Sequence, residues 1–207
     1  MEIEMTSSSL PDAADARALI IVDVQNDFTE GGPLEIAGGD EVAYQIGTYL
    51  GKTRDRYALV VTTQDWHIDP QDDHFSRHAA HCIADSAGAE LDPELSRGAG
   101  CEITKLVDVQ VHKGQYAGDL SGFRGVDESG KPLGKLLGEH GIQALDVCGL
   151  AEDVCVAATI RDALGARLPA RLLTDLSRAT SPGSAKTTEL DLATSGAEVI
   201  ESTAAWP

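Results

Sequence analysis

Apolar residues recur along this chain in short unbroken runs. The first, Ala18-Leu19-Ile20-Ile21-Val22, is closed by the carboxylate of Asp23. Leu59–Thr63, Leu106–Val111, Ala144–Cys148, Ala170–Leu173 and Ala197–Ile200 repeat the form. A continuous run of this length is the pattern of a strand buried on both faces. Between the runs lie stretches with helical spacing, near 40–55, 131–140, 153–165 and 184–195. The second carries Pro132 in its first turn, where a missing N–H costs nothing. Strand and helix alternating at this interval predict βαβ crossovers. The expected fold is a three-layer α/β/α arrangement around a mostly parallel, six-stranded, Rossmann-like sheet. Residues 1–17 are polar, acidic and Ser-rich and read as a flexible tail. Residues 18–207 read as a single domain, with no internal repeat and no low-complexity linker.

The architecture carries a positional expectation. Open α/β sheets bind ligands at the carboxyl ends of their strands. The residues that follow the apolar runs are Asp23, Gln64 to His67, His112-Lys113, Gly149 to Cys155, and Asp175. Acid, base, thiol and imidazole groups are concentrated in those segments.

Composition narrows the partners. Sixteen Lys and Arg against 34 Asp and Glu leave a formal charge of −18 over 207 residues. That balance argues against nucleic acid and anionic membranes, whose phosphates need clustered cations. Hydrophobic residues at 42% and charged residues at 24% are ordinary globular values, so disorder is not the default. No signal-peptide pattern and no apolar run of about 18 residues occurs, and four cysteines are too few for a disulfide scaffold. The expected setting is cytoplasmic, with a small-molecule substrate and either a monomer or a homodimer. No Walker-type loop and no G-x-G-x-x-G follows the first strand, so a nucleotide cofactor has no support.

Four of the six histidines, His67, His74, His78 and His81, fall within 15 residues. Asp65 and His67 project to one side if the chain stays extended. His74 and His81 can return from the loop to complete a carboxylate-and-imidazole shell for one divalent transition metal, Zn, Fe or Mn. The bland alternative is a polar surface loop with solvated histidines. Asp23 is either a turn residue or a general base at the sheet edge. Lys113 is either a solvated charge or a group that orients a base and stabilises a thiolate or oxyanion. Among the cysteines, Cys148 reads as core, Cys82 as buried or a bystander, and Cys101 has no partner pattern. Cys155 lies at a strand–turn–helix transition, where a helix amino terminus supplies N–H groups. Glu152 and Asp153 beside it oppose thiolate formation. A small buried hydrophobe is the other reading of Cys155.

At these residues the chain resembles the nicotinamidases of the isochorismatase-like cysteine hydrolase superfamily. The resemblance rests on ALIIVDVQNDFTEGGPLEIAGG (18–39), TTQDWHIDPQDDHFS (62–76), HKGQYAGDLSGFRGVDESGKPL (112–133) and VCGLAEDVCVAATIRDAL (147–164). It implies hydrolysis of nicotinamide, and usually pyrazinamide, to the acid and ammonia, as in NAD salvage. It implies a triad of Cys155, Asp23 and Lys113 and a metal held by Asp65, His67, His74 and His81. It also implies a cis Leu150–Ala151 peptide, an oxyanion hole from the Ala151 and Cys155 amides, and Phe28 as a wall of the ring pocket, with Leu150 also lining it.

One departure stands out. Family members commonly carry Trp-Pro-x-His-Cys before the last metal ligand, whereas this chain has His78-Ala79-Ala80-His81-Cys82. An imidazole offers less stacking area than an indole, so His78 leaves a wider or wetter pocket. Two alternatives remain: another amidase of the superfamily acting on a different aryl-amide or carbamoyl substrate, and a catalytically silent metal-stabilised binding module.

Overall fold

The computed structural model describes residues 16–68, 73–76, 78–115 and 118–206, the side chains of Asp73 and His74 excepted. Six strands form one sheet: β1 (Arg17–Val22), β2 (Leu59–Asp65), β3 (Val109–Lys113), β4 (Ala144–Leu150), β5 (Ala170–Arg178) and β6 (Glu198–Ile200). Their order across the sheet is β3-β2-β1-β4-β5-β6 and every pairing is parallel. The order reverses between β2 and β4, on either side of β1, so the end of β1 is the switch point of the sheet.

β1 shows why an unbroken apolar run was required. Ala18, Ile20 and Val22 face one layer, while Leu19 and Ile21 face the other. The first layer is covered by α3 (Leu133–Glu139), α4 (Ala157–Gly165) and α5 (Pro182–Thr194), through Leu133, Leu137, Ile160 and Leu192. The second is covered by α1 (Gly39–Thr53) and α2 (Pro93–Ala99), through Val42, Ile46, Leu50 and Leu95. Each such aliphatic side chain stabilises the fold by roughly 1.5–3 kcal/mol on burial. α1 and α2 cross in close contact: a Cβ on Gly47 would collide with the Leu95 carbonyl, so a glycine is needed there.

Several boundaries differ from the sequence expectation. Arg17 belongs to β1, because its guanidinium is tied to Asp146 at 2.9 Å, and residues 1–15 lie outside the described part. β3 starts at Val109, because Ile103–Lys105 form a 3-10 turn whose end takes in Leu106. The Asp108 carboxylate beyond it accepts the Val60 N–H. β5 runs on to Arg178 through polar residues, with a register irregularity opposite Val147–Gly149. Pro132 caps α3 from outside. α2 was not anticipated, although Asp92 caps it by accepting the Glu94 N–H and Pro93 opens it.

Candidate active site

The carboxyl ends of β1, β2, β3 and β4 bring the candidate residues together. Asp23 follows β1 and is fully buried, with a left-handed backbone (φ 50°) that Asp tolerates better than most residues. Lys113 ends β3, pairs in register with Asp65 at the end of β2, and is 1% exposed. Cys155 lies beyond β4, in a π-helical turn over Glu152–Val156 that leads into α4. π-turns of this kind are often found at functional sites. Gly149 makes the approach possible. Its φ is 121°, and a Cβ there would strike the Val22 backbone.

The Lys113 ammonium is the hub. Its Nζ lies 2.9 Å from Asp23 Oδ2, 2.5 Å from Asp65 Oδ1, 3.1 Å from the Asp119 carbonyl and 3.7 Å from Cys155 Sγ. Burial alone would lower its pKa, but the Asp23 and Asp65 carboxylates outweigh that and hold it well above the ordinary lysine value. It is therefore a permanent cation. Burial pushes Asp23 above the usual carboxylate range; Lys113 opposes this and Asp65 adds to it. Burial likewise drives the Cys155 thiol well up, with Lys113 opposing and Asp23 and Asp65 reinforcing. Burial thus favours the protonated form of both groups, and the Lys113 charge works against it in each.

Beside this group, one ligand atom from each of Asp65, His67 and His81 falls within 4.8 Å of the others, and all three residues are buried. A carboxylate and two imidazoles at that separation suit Zn²⁺, Fe²⁺ or Mn²⁺ by donor chemistry. Asp65 spans both groups, with Oδ1 on Lys113 and Oδ2 3.9 Å from His67 Nε2. His81 Nδ1 lies 2.8 Å from the Ala79 carbonyl, which can only accept, so Nδ1 carries the proton and Nε2 keeps the lone pair. The backbone of His74 lies in the 3-10 turn Asp73–Ser76, and its side chain lies outside the described residues.

Of the pocket candidates, Phe28 is buried, with its ring centroid 5.5 Å from that of His81. Leu150 is completely buried in the apolar cluster that also holds Phe28, so its expected place in the pocket lining is corrected to the core. His78 is exposed and meets His81 edge-on at 6.4 Å. Ala151 is 8% exposed and precedes the π-helical turn as its cap, in an extended conformation. The expected cis bond before it is corrected: no described peptide bond is cis. Neither residue is proline, and for such bonds the trans form is favoured by about 3–4 kcal/mol.

Comparison with known proteins gives the family. Residues 17–204 match the protein-family model for the isochorismatase domain. The chain belongs to the isochorismatase domain family. Among relatives of this isochorismatase-domain chain is the nicotinamidase/pyrazinamidase of Mycobacterium tuberculosis, 40% identical over 190 residues, covering 89% of this chain and 98% of that protein. Among solved structures, the pyrazinamidase of Pyrococcus horikoshii in complex with zinc has a TM-score of 0.76 at 27% identity, covering 89% of this chain and 98% of that one. PnC1 from L. infantum in complex with nicotinate has a TM-score of 0.77 at 31% identity, covering 93% and 96%.

Three residues of this isochorismatase domain were missed in the sequence. Thr63 Oγ1 donates to Asp23 Oδ1 at 2.7 Å and fixes the carboxylate's rotation. Gln25 binds the Asp65 backbone on both sides, donating to its carbonyl at 2.9 Å and accepting its N–H at 2.8 Å. Phe75 places its ring 5.0 Å from His67 and 5.6 Å from His81. Only Phe75 left a signal, as an aromatic next to a suspected ligand.

Proposed function

We propose that this protein is a metal-dependent nicotinamidase, hydrolysing nicotinamide to nicotinate and ammonia and accepting pyrazinamide, as in NAD salvage in the cytoplasm. The observation that carries the reading is the placement of one buried ammonium 2.9 Å from Asp23 and 3.7 Å from Cys155 Sγ, beside the Asp65, His67 and His81 cluster. An Asp–Lys–thiol group next to an imidazole-rich cluster suits attack on a small aromatic carboxamide.

In the proposed reaction, Asp23 takes the thiol proton as Cys155 Sγ bonds to the carboxamide carbon. The carbonyl π electrons move to oxygen, and the Ala151 and Cys155 amides donate to that oxyanion. Such donors contribute roughly 3–4 kcal/mol each to the transition state. When the oxyanion collapses, the C–N bond breaks and the proton on Asp23 goes to the nitrogen, which leaves as ammonia. Water then attacks the thioester, giving up a proton through Asp23, and the acid and the thiol are restored. Lys113 keeps its charge throughout, holding Asp23 in place and offsetting the negative charge formed beside it.

Asp65, His67, His74 and His81 would hold the divalent metal, Zn, Fe or Mn, which when bound supplies Lewis acidity toward the ring nitrogen and ordered water. Phe28 would line one side of the ring, Leu150 would support it from the core, and His78 would stand at the rim. The residues suit orientation of a flat aromatic substrate.

The test is ammonia release from nicotinamide, pyrazinamide and several carbamoyl compounds, with and without a chelator. The reading expects turnover of the two aromatic amides that chelation abolishes and metal restores. Turnover of carbamoyl compounds alone would reassign the substrate. No turnover of any amide by metal-loaded protein would leave a silent binding module.

A further inference from the structure

Glu152 is an acid of the nucleophile turn that the chemistry above leaves unused. It opens the π-helical turn, one residue after Ala151 and three before Cys155. It is 3% exposed, and its Oε1 has no hydrogen-bond partner among the described residues. Its neighbour Asp153 is in a different position. That carboxylate accepts from the Thr180 N–H at 2.9 Å and the Thr180 hydroxyl at 2.5 Å, which pins the turn to the loop before α5.

A buried carboxyl with an unfilled acceptor is far more costly as an anion than as a neutral acid. The groups facing Glu152 come from three elements. Glu189 of α5 and Asp153 of its own turn oppose ionisation, and Arg178 at the end of β5 favours it. β4 and α4, which also pack on the turn, add no charged group to that set. Burial is the largest influence, and the balance raises the carboxyl to about 7. The uncharged form therefore prevails below neutral pH, the charged form above it, and the two exchange dominance near neutrality.

The charge of this side chain bears on the turn that presents Cys155. The amides at the start of a helical turn attract negative charge, and the proposed reaction develops an oxyanion there. A carboxylate fixed in the same turn competes for the same dipoles and repels the forming charge. A neutral carboxyl does neither.

We propose that Glu152 is a positioning residue of the nucleophile turn that works as an uncharged acid. While neutral it leaves the amides around Cys155 to the forming oxyanion; once ionised it places a negative charge in the same turn and slows acylation. This inference rests on the amidase reading above, and the experiment separates the two.

The experiment compares Glu152→Gln with wild type, both full-length and metal-loaded, Gln being nearly isosteric with the neutral acid. kcat and KM for ammonia release from nicotinamide are measured from about pH 6 to about pH 8.5. The variant-to-wild-type ratio of kcat should be close to one at the acid end and rise on the order of threefold at the alkaline end, with KM unchanged. A purely structural role would change kcat by the same factor at every pH, and such a constant ratio overturns the proposal. If Glu152→Gln does not fold, Glu189→Gln replaces it. Removing that neighbouring charge lets Glu152 ionise more readily, so the alkaline decline of kcat should move to lower pH; an unmoved decline overturns the proposal. If neither protein releases ammonia at any pH, the substrate reading has failed. Glu152 is then judged on the rate at which iodoacetamide alkylates Cys155 over the same range. A variant-to-wild-type ratio that rises with pH supports the proposal, and a constant ratio overturns it.

Discussion

Two buried charge clusters sit at opposite ends of the same sheet, and they are built on opposite plans. At the amino end, Asp146 in β4 is fully buried and saturated. Arg17 reaches it at 2.9 Å, Arg171 binds both oxygens at 2.6 and 2.7 Å, and the Tyr57 hydroxyl donates at 2.7 Å. Positive charge is in excess, and Trp206 packs over Arg171 while donating to the Tyr49 hydroxyl. At the carboxyl end the ratio is inverted. Two carboxylates share the single ammonium of Lys113, a thiol leans on it, and a cluster suited to a dication stands alongside. The first cluster has every group answered and ties β1, β4, β5 and the C-terminal segment together. In the second, burial raises both Asp23 and Cys155 against the opposing charge of Lys113, the kind of perturbation that marks a candidate functional site. Burial of charge alone does not distinguish scaffold from chemistry; the completeness of its partners does.

Lys113→Met is the strongest challenge to this contrast. It leaves Asp23 and Asp65 without their shared cation, and removing one partner of a buried ion pair costs about 3–5 kcal/mol. Urea unfolding should show that loss, and ammonia release should fall below detection. A stable, active variant would mean that the lysine is not the hub.

Asp146→Asn should give a smaller and purely structural effect. Its arginines are partly exposed and can regain water, so the expected loss is about 2 kcal/mol in the same unfolding assay. kcat for nicotinamide should stay within about twofold of wild type, since the cluster lies at the far end of the sheet. A large fall in kcat with little loss of stability would erase the distinction between the two ends.

Much of the active end was legible in the sequence, because its residues follow apolar runs and the parallel fold fixes where run ends must lie. Asp23, Lys113 and Cys155 were each ambiguous alone; the strand ends made them neighbours. The amino-end cluster was not legible. Arg17 read as the last residue of a tail, and Asp146 sits inside an apolar run with nothing local to mark its partners, which come from residues 57, 17 and 171. The π-helical turn was also invisible, since a five-residue turn running into a helix leaves no period of its own. Glu152 was read only as a charge opposing Cys155, because burial of an acid follows from tertiary packing. α2 was missed because Leu95 is its one buried apolar residue and leaves no helical spacing, whereas the equally short α3 buries Leu133, Leu136 and Leu137.

The proposed reaction turns on Cys155 forming the bond to substrate. Its most direct test is intact-protein mass spectrometry of metal-loaded enzyme acid-quenched during turnover of nicotinamide, run beside Cys155→Ala. The wild type should carry a nicotinoyl adduct on the peptide containing Cys155. The variant should carry none and release no ammonia, while binding metal and unfolding like wild type. Ammonia release by Cys155→Ala at a rate comparable to wild type, or an adduct on another residue, would mean that Cys155 is not the nucleophile.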